Sequence, residues 1–384
     1  MLGNENLVDL KFKPVQGKRI GLLTNRSGIN SHGKSTIEIL HKAAGVKLAA
    51  LFAPEHGLDG TIPAGKEYGN STDPETGVPI YSLYGPGPVR KPTAEMLKNL
   101  DAVVYDIQDT GCRSYTFIST MGLTMEACGE NNVEFIVLDR PNPLGGERIE
   151  GPLLNPQYKS LVSQWNIPYV YGMTCGELAR MINREGWIKK PCKLTIVRMQ
   201  GWQRDMAWKD TQIPWVPTSP KIPYAHSPLH YVSTGLLGSM GSGINLGLDL
   251  EMPFECVLMQ KINPTNFIAQ MNRYKLPGIR FTPHQAEIKG QKYYGIRVIF
   301  TDPIRAPLTA LNFYFHEAIK KVANRDLYAE SVQAKKSFNL FDKVCGTSDI
   351  RRSLAAGVSA VNLARSWKAD EDKFREKRQK YLLY

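Results

Sequence analysis

Apolar residues in the first half of this chain fall in short dense runs, each stopped by a turn former and followed by a stretch where they recur every three or four positions. Arg19 to Thr24, Val46 to Phe52, Ala102 to Asp106 and Glu134 to Asp139 are runs of strand length without polar alternation, the pattern of strands buried on both faces. Shorter strands are predicted at Pro79 to Leu83 and Leu194 to Arg198. Between them, helical spacing is predicted over Lys34 to Ala44, from the N-capping Thr93, up to about Asn131, and over Thr174 to Glu185, where Thr174 and Glu177 have capping-box spacing. Strand and helix alternating in steps of this size predict an α/β fold with a doubly wound parallel sheet. Right-handed crossovers then bring all the strand ends to one edge.

The pattern changes after residue 212. Five prolines between Pro214 and Pro228 keep that segment extended, and it is read as a linker. Beyond it come a glycine-rich segment (Gly235 to Gly247), a helix near Pro264 to Tyr274, strands near Ile279 to Thr282 and Tyr293 to Phe300, and several helices. The expected division is a Rossmann-like catalytic domain over 1–215 and a smaller α+β domain over 216–384.

Composition adds three constraints. The 384 residues exceed what one core usually serves, in agreement with two domains. A net charge of +12 favours an anionic partner, yet no recognition motif accompanies it, so nucleic acid is not expected. The C-terminal basic run Lys373 to Lys380, interspersed with Glu376 and Phe374, reads as a solvated helical face. The six cysteines have no zinc-ribbon or CxxC spacing, and no apolar run reaches the ~20 residues of a membrane span. No signal peptide is visible at the N-terminus, and the oligomeric state is left open.

The candidate chemistry sits where the strands end. Pro54 stops the second strand and Glu55-His56-Gly57 follows at once. Asp106 and Asp109 follow the Ala102 strand, and Asp139 ends the Glu134 strand. Asn25, Gln108, Arg113, Tyr115, Arg140 and Asn142 lie beside them. Three strand ends delivering carboxylates to one edge point to an enzyme or a polar-ligand site, since ligands of open α/β sheets bind there. Arg113 and Arg140 read equally as structural ion-pair partners or as forks for an anionic substrate group. There is no GxGxxG, Walker A, GxSxG or HExxH motif, and the seven histidines give no metal-ligand spacing, so neither cofactor nor metal is expected. The turn Gly238 to Gly243 reads as a plain turn rather than an anion cradle, and one or two of Trp165, Trp202, Trp208 and Trp215 are expected to stack on a sugar.

Five blocks in order, Leu22-Leu-Thr-Asn25, Phe52-Ala-Pro-Glu-His-Gly57, Tyr105 to Tyr115, Leu138-Asp-Arg-Pro-Asn-Pro143 and Trp215-Val-Pro-Thr-Ser-Pro220, resemble the NamZ family of exo-acting β-N-acetylmuramidases of peptidoglycan recycling. The chain departs from that family's pattern before Pro253-Phe-Glu255, where the usual Glu-Gly-Arg-Gly-Thr-Thr run has lost its charged residues.

The resemblance implies a Rossmann-like domain with a smaller C-terminal domain, an active-site cleft between them, and Glu55 as the catalytic carboxylate. It implies a peptidoglycan-derived glycan substrate and a periplasmic or envelope location. Glu55 is expected to protonate the glycosidic oxygen. The second role falls to Asp106, Asp109 or Asp139, as nucleophile or base, or to the substrate's own acetamido group with an Asp orienting it. His56 and Tyr115 would position or polarise. Competing expectations are a non-catalytic carbohydrate-binding protein on the same fold and a phosphate-handling or metal-dependent hydrolase.

Overall fold

Side chains on successive residues of a strand point to opposite faces, so a strand that is apolar throughout needs cover on both sides. In the computed structural model, which describes residues 1–87, 90–240 and 243–384, the N-terminal runs satisfy that need in a seven-stranded sheet. Its strands are β1 (Arg19–Thr24), β2 (Lys47–Ala53), β3 (Ser71–Thr72), β4 (Pro79–Ser82), β5 (Ala102–Asp106), β6 (Glu134–Leu138) and β7 (Leu194–Val197), in the order β3-β4-β2-β1-β5-β6-β7. All neighbours pair parallel except β3 with β4. Val103 and Tyr105 of β5 enter the core on one face, while Ala102 and Val104 enter that on the other.

The sheet is covered by α1 (Gly3–Asp9), α2 (Thr36–His41), α3 (Ala94–Leu97), α4 (Phe117–Glu130) and α5 (Cys175–Arg184). Thr93 caps α3, and Thr174 with Glu177 forms the expected capping box on α5. From β1 the chain steps to β2 on one side and later returns to β5 on the other. The carboxyl ends of β1 and β5 therefore form the crevice where strand order reverses.

The second half begins with α6 (Ser227–Ser239) and carries β8 (Cys256–Met259), α7 (Pro264–Arg273), β9 (Ile279–Ile288) and β10 (Gln291–Phe300), then α8 (Leu308–Ala323) and five shorter helices, α9 (Leu327–Gln333), α10 (Asn339–Cys345), α11 (Asp349–Ala355), α12 (Ala360–Ser366) and α13 (Lys368–Arg378). β8, β10 and β9 form an antiparallel sheet. Leu236 and Leu237 of α6, Leu311 and Phe315 of α8 and Ile296 of β10 share its core.

Four elements had no counterpart in the sequence pattern: α1, β3, α6, which runs from the end of the proline-rich segment into the glycine-rich stretch, and β8. Pro88 of the Gly85–Pro88 turn, and Gly241 and Ser242 of the glycine-rich turn, lie outside the described residues. The C-terminal basic run corrects one expectation. Phe374 and Tyr381 insert into the N-terminal core, and Arg378 is buried with its guanidinium donating to the carbonyls of Gly146, Tyr171 and Gly172. Only part of that helix is a solvated face, because the chain's end returns to the first sheet.

Candidate active site

β2 ends at Ala53, Pro54 follows, and Glu55 is turned inward and buried. Its Oε1 accepts the Gly65 amide at 2.8 Å and its Oε2 accepts the Thr116 hydroxyl at 2.7 Å. Thr116 is the N-cap residue of α4, so the loop between β2 and β3 and the β5–α4 connection meet on this carboxylate. A hydroxyl both donates and accepts, so the Thr116 contact persists whichever way the shared proton lies. His56 has φ +75°, a left-handed conformation rare outside glycine and costing on the order of 1 kcal/mol or more. Its ring is fixed by Nδ1 at 2.7 Å from the Ile62 carbonyl and by edge contact with Phe117. Because a carbonyl can only accept, Nδ1 carries the proton, and in the neutral ring Nε2 is the acceptor.

The three expected aspartates differ in what their oxygens do. Asp106 is fully buried: Oδ1 accepts Arg140 Nε at 2.5 Å, and Oδ2 accepts Thr36, Arg140 Nη2 and Asn4 at 2.5, 3.0 and 3.3 Å. Asp139 is also fully buried and receives four donors, the amides of Arg140 and Gly176 and the hydroxyls of Thr174 and Tyr384. Asp109 accepts the Gly111 amide at 2.6 Å and the Tyr171 hydroxyl at 2.5 Å, both on Oδ2, and its buried Oδ1 has no partner among the described residues. Burial raises the Asp109 and Asp139 carboxyls to about 6, against the opposing hydrogen bonds.

Arg113 is spent within the fold, and Arg140 in large part. Arg113 donates to Ser163 Oγ and to the carbonyls of Pro152, Ile167, Val344 and Cys345, with no ion pair among the described residues, and burial lowers it to about 10. Gly346, at φ +75°, passes so close that a methyl group there would sit 2.5 Å from Arg113 Nη2. Arg140 donates through Nε and Nη2 to Asp106 and through Nη2 to the Ile29 carbonyl, and its Nη1 has no partner among the described residues.

The remaining polar residues shape the strand-end loops. Asn25 Oδ1 accepts the Ser27 amide and hydroxyl, and Asn142 caps its own turn at Leu144 while donating to Met173. Gln108 donates to the carbonyls of Asp109 and Pro141 and leaves Oε1 without a partner. Tyr115 bonds Thr218 Oγ1 at 2.7 Å and packs edge-on against Tyr231 of α6, whose hydroxyl reaches Ser114 at 2.9 Å. The proline-rich segment and α6 thus roof the loop that follows β5.

A cavity of about 350 Å³ lies at the strand-order reversal, lined among others by Ser27, Asn30, Gln108, Arg140 and Trp208; Glu55 is not part of its wall. Trp208 borders it, while Trp165 and Trp202 are buried in packing and Trp215 bonds the Ile222 carbonyl.

One cation near Glu55 was not anticipated. Arg26, the residue after Asn25, is exposed and has no hydrogen-bond or ion-pair partner among the described residues. Its stem lies over Gly60 in the loop carrying Glu55: a methyl group at Gly60 would be 2.8 Å from Arg26 Cδ and 3.6 Å from the Thr218 carbonyl oxygen. In the second half, the histidines also assemble more than their spacing suggested. His226, His230 and Glu255 bring one potential ligand atom each within 4.8 Å of one another.

Residues 20–226 match the family model described as exo-β-N-acetylmuramidase NamZ, N-terminal, and residues 229–384 match its C-terminal partner. The chain belongs to the NamZ family. It is 42% identical over 389 aligned positions to the peptidoglycan β-N-acetylmuramidase NamZ of Bacillus subtilis (strain 168), covering 100% of this chain and 91% of that protein. Two DUF1343 family proteins of Bacteroides fragilis NCTC 9343 have the same fold. One has a TM-score of 0.92 at 42% identity and the other 0.74 at 28%, each covering 100% of this chain and 98% of the other. The two NamZ models divide the chain at the start of α6. Arg26 carries no local signal of its own, because it stands in the turn Asn25 to Gly28 with no acidic residue beside it. Thr116 carries none either, because a hydroxyl at a helix start ordinarily reads as a cap.

Proposed function

We propose that this chain is an exo-β-N-acetylmuramidase that releases N-acetylmuramic acid from the non-reducing end of peptidoglycan fragments, with Glu55 as general acid. The observation that carries the assignment is a buried carboxylate at the end of β2, held by the Gly65 amide and the Thr116 hydroxyl. A general acid must reach the leaving oxygen in a fixed geometry, and two donors on one carboxylate supply that fixity.

The second role goes to Asp109. Of the three candidate aspartates it alone has an oxygen with no hydrogen-bond partner among the described residues; that oxygen is buried, so it accepts the N–H of the substrate's 2-acetamido group only when the loop after β5 admits the sugar. Such a bond orients the acetamido oxygen toward the anomeric carbon, the substrate-assisted variant of glycoside hydrolysis. Asp106 with Arg140, and Asp139 with the start of α5, hold the strand ends that carry this pair.

Muramic acid bears a lactyl carboxylate, and recognising it takes a cation with donors to spare. Arg113 has none left over and Arg140 keeps only Nη1 beyond its bonds to Asp106 and Ile29, whereas Arg26 is exposed and has no partner among the described residues. The substrate would enter between the strand-end loops and the roof of Thr218 and Tyr231, a cleft between a Rossmann-like half and the C-terminal half. Such a substrate fits a role in cell-wall recycling in the envelope or periplasm. No helix among the described residues is long and apolar enough to cross a membrane.

Glu55→Gln tests the reading. The amide can turn its oxygen to the Gly65 N–H and its nitrogen to the Thr116 hydroxyl, so the fold survives. Hydrolysis of a muramic-acid aryl glycoside should fall by about 10²–10⁴-fold or more, with ligand binding retained. Unchanged turnover removes Glu55 from the acid role. The altered segment before Glu255 favours one second reading, a binding protein without turnover. Wild-type affinity for muramic acid with no hydrolysis would support it.

A further inference from the structure

His226 and His230 are four residues apart at the start of α6, so their rings lie on one face of the helix. Glu255 immediately precedes β8 and points back at that face: its Oε1 lies 2.8 Å from His226 Nε2. Arg297 of β10 occupies the other oxygen, Oε2, with Nη2 at 2.7 Å and Nε at 3.2 Å. An ordinary His–Glu–Arg network would explain these three residues. It does not explain His230, which is buried against Phe300 and His226 with Nδ1 bonded to nothing. A buried ring nitrogen without a partner is costly, and a metal ion is one partner that two imidazoles and a carboxylate jointly satisfy.

We propose that His226, His230 and Glu255 form a binding site for a divalent transition-metal ion of the zinc class. Two neutral imidazoles and one carboxylate oxygen supply three of the four positions of a tetrahedral zinc site. The fourth opens to solvent beside His226, whose side chain is 48% exposed. His226 ligates through Nε2 once its proton sits on Nδ1, so the bond to Glu255 gives way to the ion without loss of the neutral ring. Arg297 keeps its hold on Oε2 and orients the carboxylate, the role outer hydrogen bonds play around ligating groups. Its positive charge also moderates the affinity.

The ion would fasten the first turn of α6 to the antiparallel sheet. Tyr231, next to His230, packs on Phe254, next to Glu255, and its hydroxyl bonds Ser114. Metal binding therefore steadies the roof over the loop that follows β5, independently of how the glycan is cleaved.

The test uses the full chain, stripped with a chelator and dialysed, then titrated with zinc chloride by calorimetry and with cobalt(II) by visible absorption. One equivalent should bind, with the intense bands of four-coordinate cobalt and a raised melting temperature. His230→Gln and His226→Gln should each weaken binding by at least about 100-fold, with circular dichroism checking the fold. His226 is half-exposed, so its variant keeps the test decisive if the buried His230 variant does not fold. Absence of stoichiometric binding, or binding that His226→Gln leaves unchanged, overturns the proposal.

Discussion

Thr116 donates its hydroxyl to Oε2 of Glu55 at 2.7 Å, joining the end of β2 to the start of α4 across 61 positions of sequence. An intramolecular hydrogen bond contributes about 0.5–1.5 kcal/mol, and more when one partner is charged. If Thr116 positions the acid, Thr116→Val lowers kcat by roughly 10–100-fold with KM little changed, and Thr116→Ser restores most of it. Steady-state kinetics on a muramic-acid aryl glycoside decides this; equal activity of the valine variant refutes the positioning role.

Asp109 gives a prediction with two opposite signs. The proposed role in orienting the acetamido group needs the ionised form, so kcat/KM should climb with pH along a limb centred at about 6. Asp109→Asn should lose that limb together with about 10²-fold or more of the activity. Stability runs the other way. A carboxyl raised in the folded state contributes stability that is present below its ordinary value and is lost as pH rises through about 6. The asparagine variant should therefore gain stability at neutral pH, on the order of 3 kcal/mol at most. Denaturant unfolding at pH 4, 6 and 7.5 reads the effect; no gain between the first and last of these means the buried charge is compensated.

Arg26 predicts a specificity rather than a rate. Replacing it with Gln should cut kcat/KM on the muramic-acid substrate by roughly 10–100-fold, the loss of a charge-assisted pair. The matching N-acetylglucosaminide, which lacks the lactyl carboxylate, should be turned over as by wild type. Equal losses on both substrates would assign Arg26 to the loop's structure instead.

Arg113 predicts stability alone. Its guanidinium ties the carbonyls of Pro152 and Ile167 to those of Val344 and Cys345, about 190 positions further along the chain. Arg113→Met leaves those acceptors buried and unpaired, each costing about 1–3 kcal/mol. The variant should lose about 3–5 kcal/mol or fail to fold, and a melting temperature within a degree of wild type would contradict this.

Much of the first sheet was legible. β1, β5 and the capping of α3 and α5 follow from apolar runs, proline stops and Thr–Glu spacing, all settled within a few residues of themselves. β8 was not legible, because Cys256–Met259 is four apolar residues that read as strand only once β10 lies beside them. The basic tail misled for a related reason. Arg378 looks solvated until Gly146, Tyr171 and Gly172 turn their carbonyls toward it.

By itself the sequence determined that acids and arginines gather at one edge of a parallel sheet, since side-chain alternation and crossover handedness leave the strand ends nowhere else to go. Only the tertiary structure decided what each of them has left to offer. Asp106 and Asp139 received enough donors to fill both oxygens, Asp109 kept one buried oxygen without a partner, and Arg113 gave its N–H groups to distant carbonyls while Arg26 found no partner among the described residues. Those differences come from partners tens to hundreds of residues away, and a local pattern of residue types carries no record of which distant group arrives first at a buried charge.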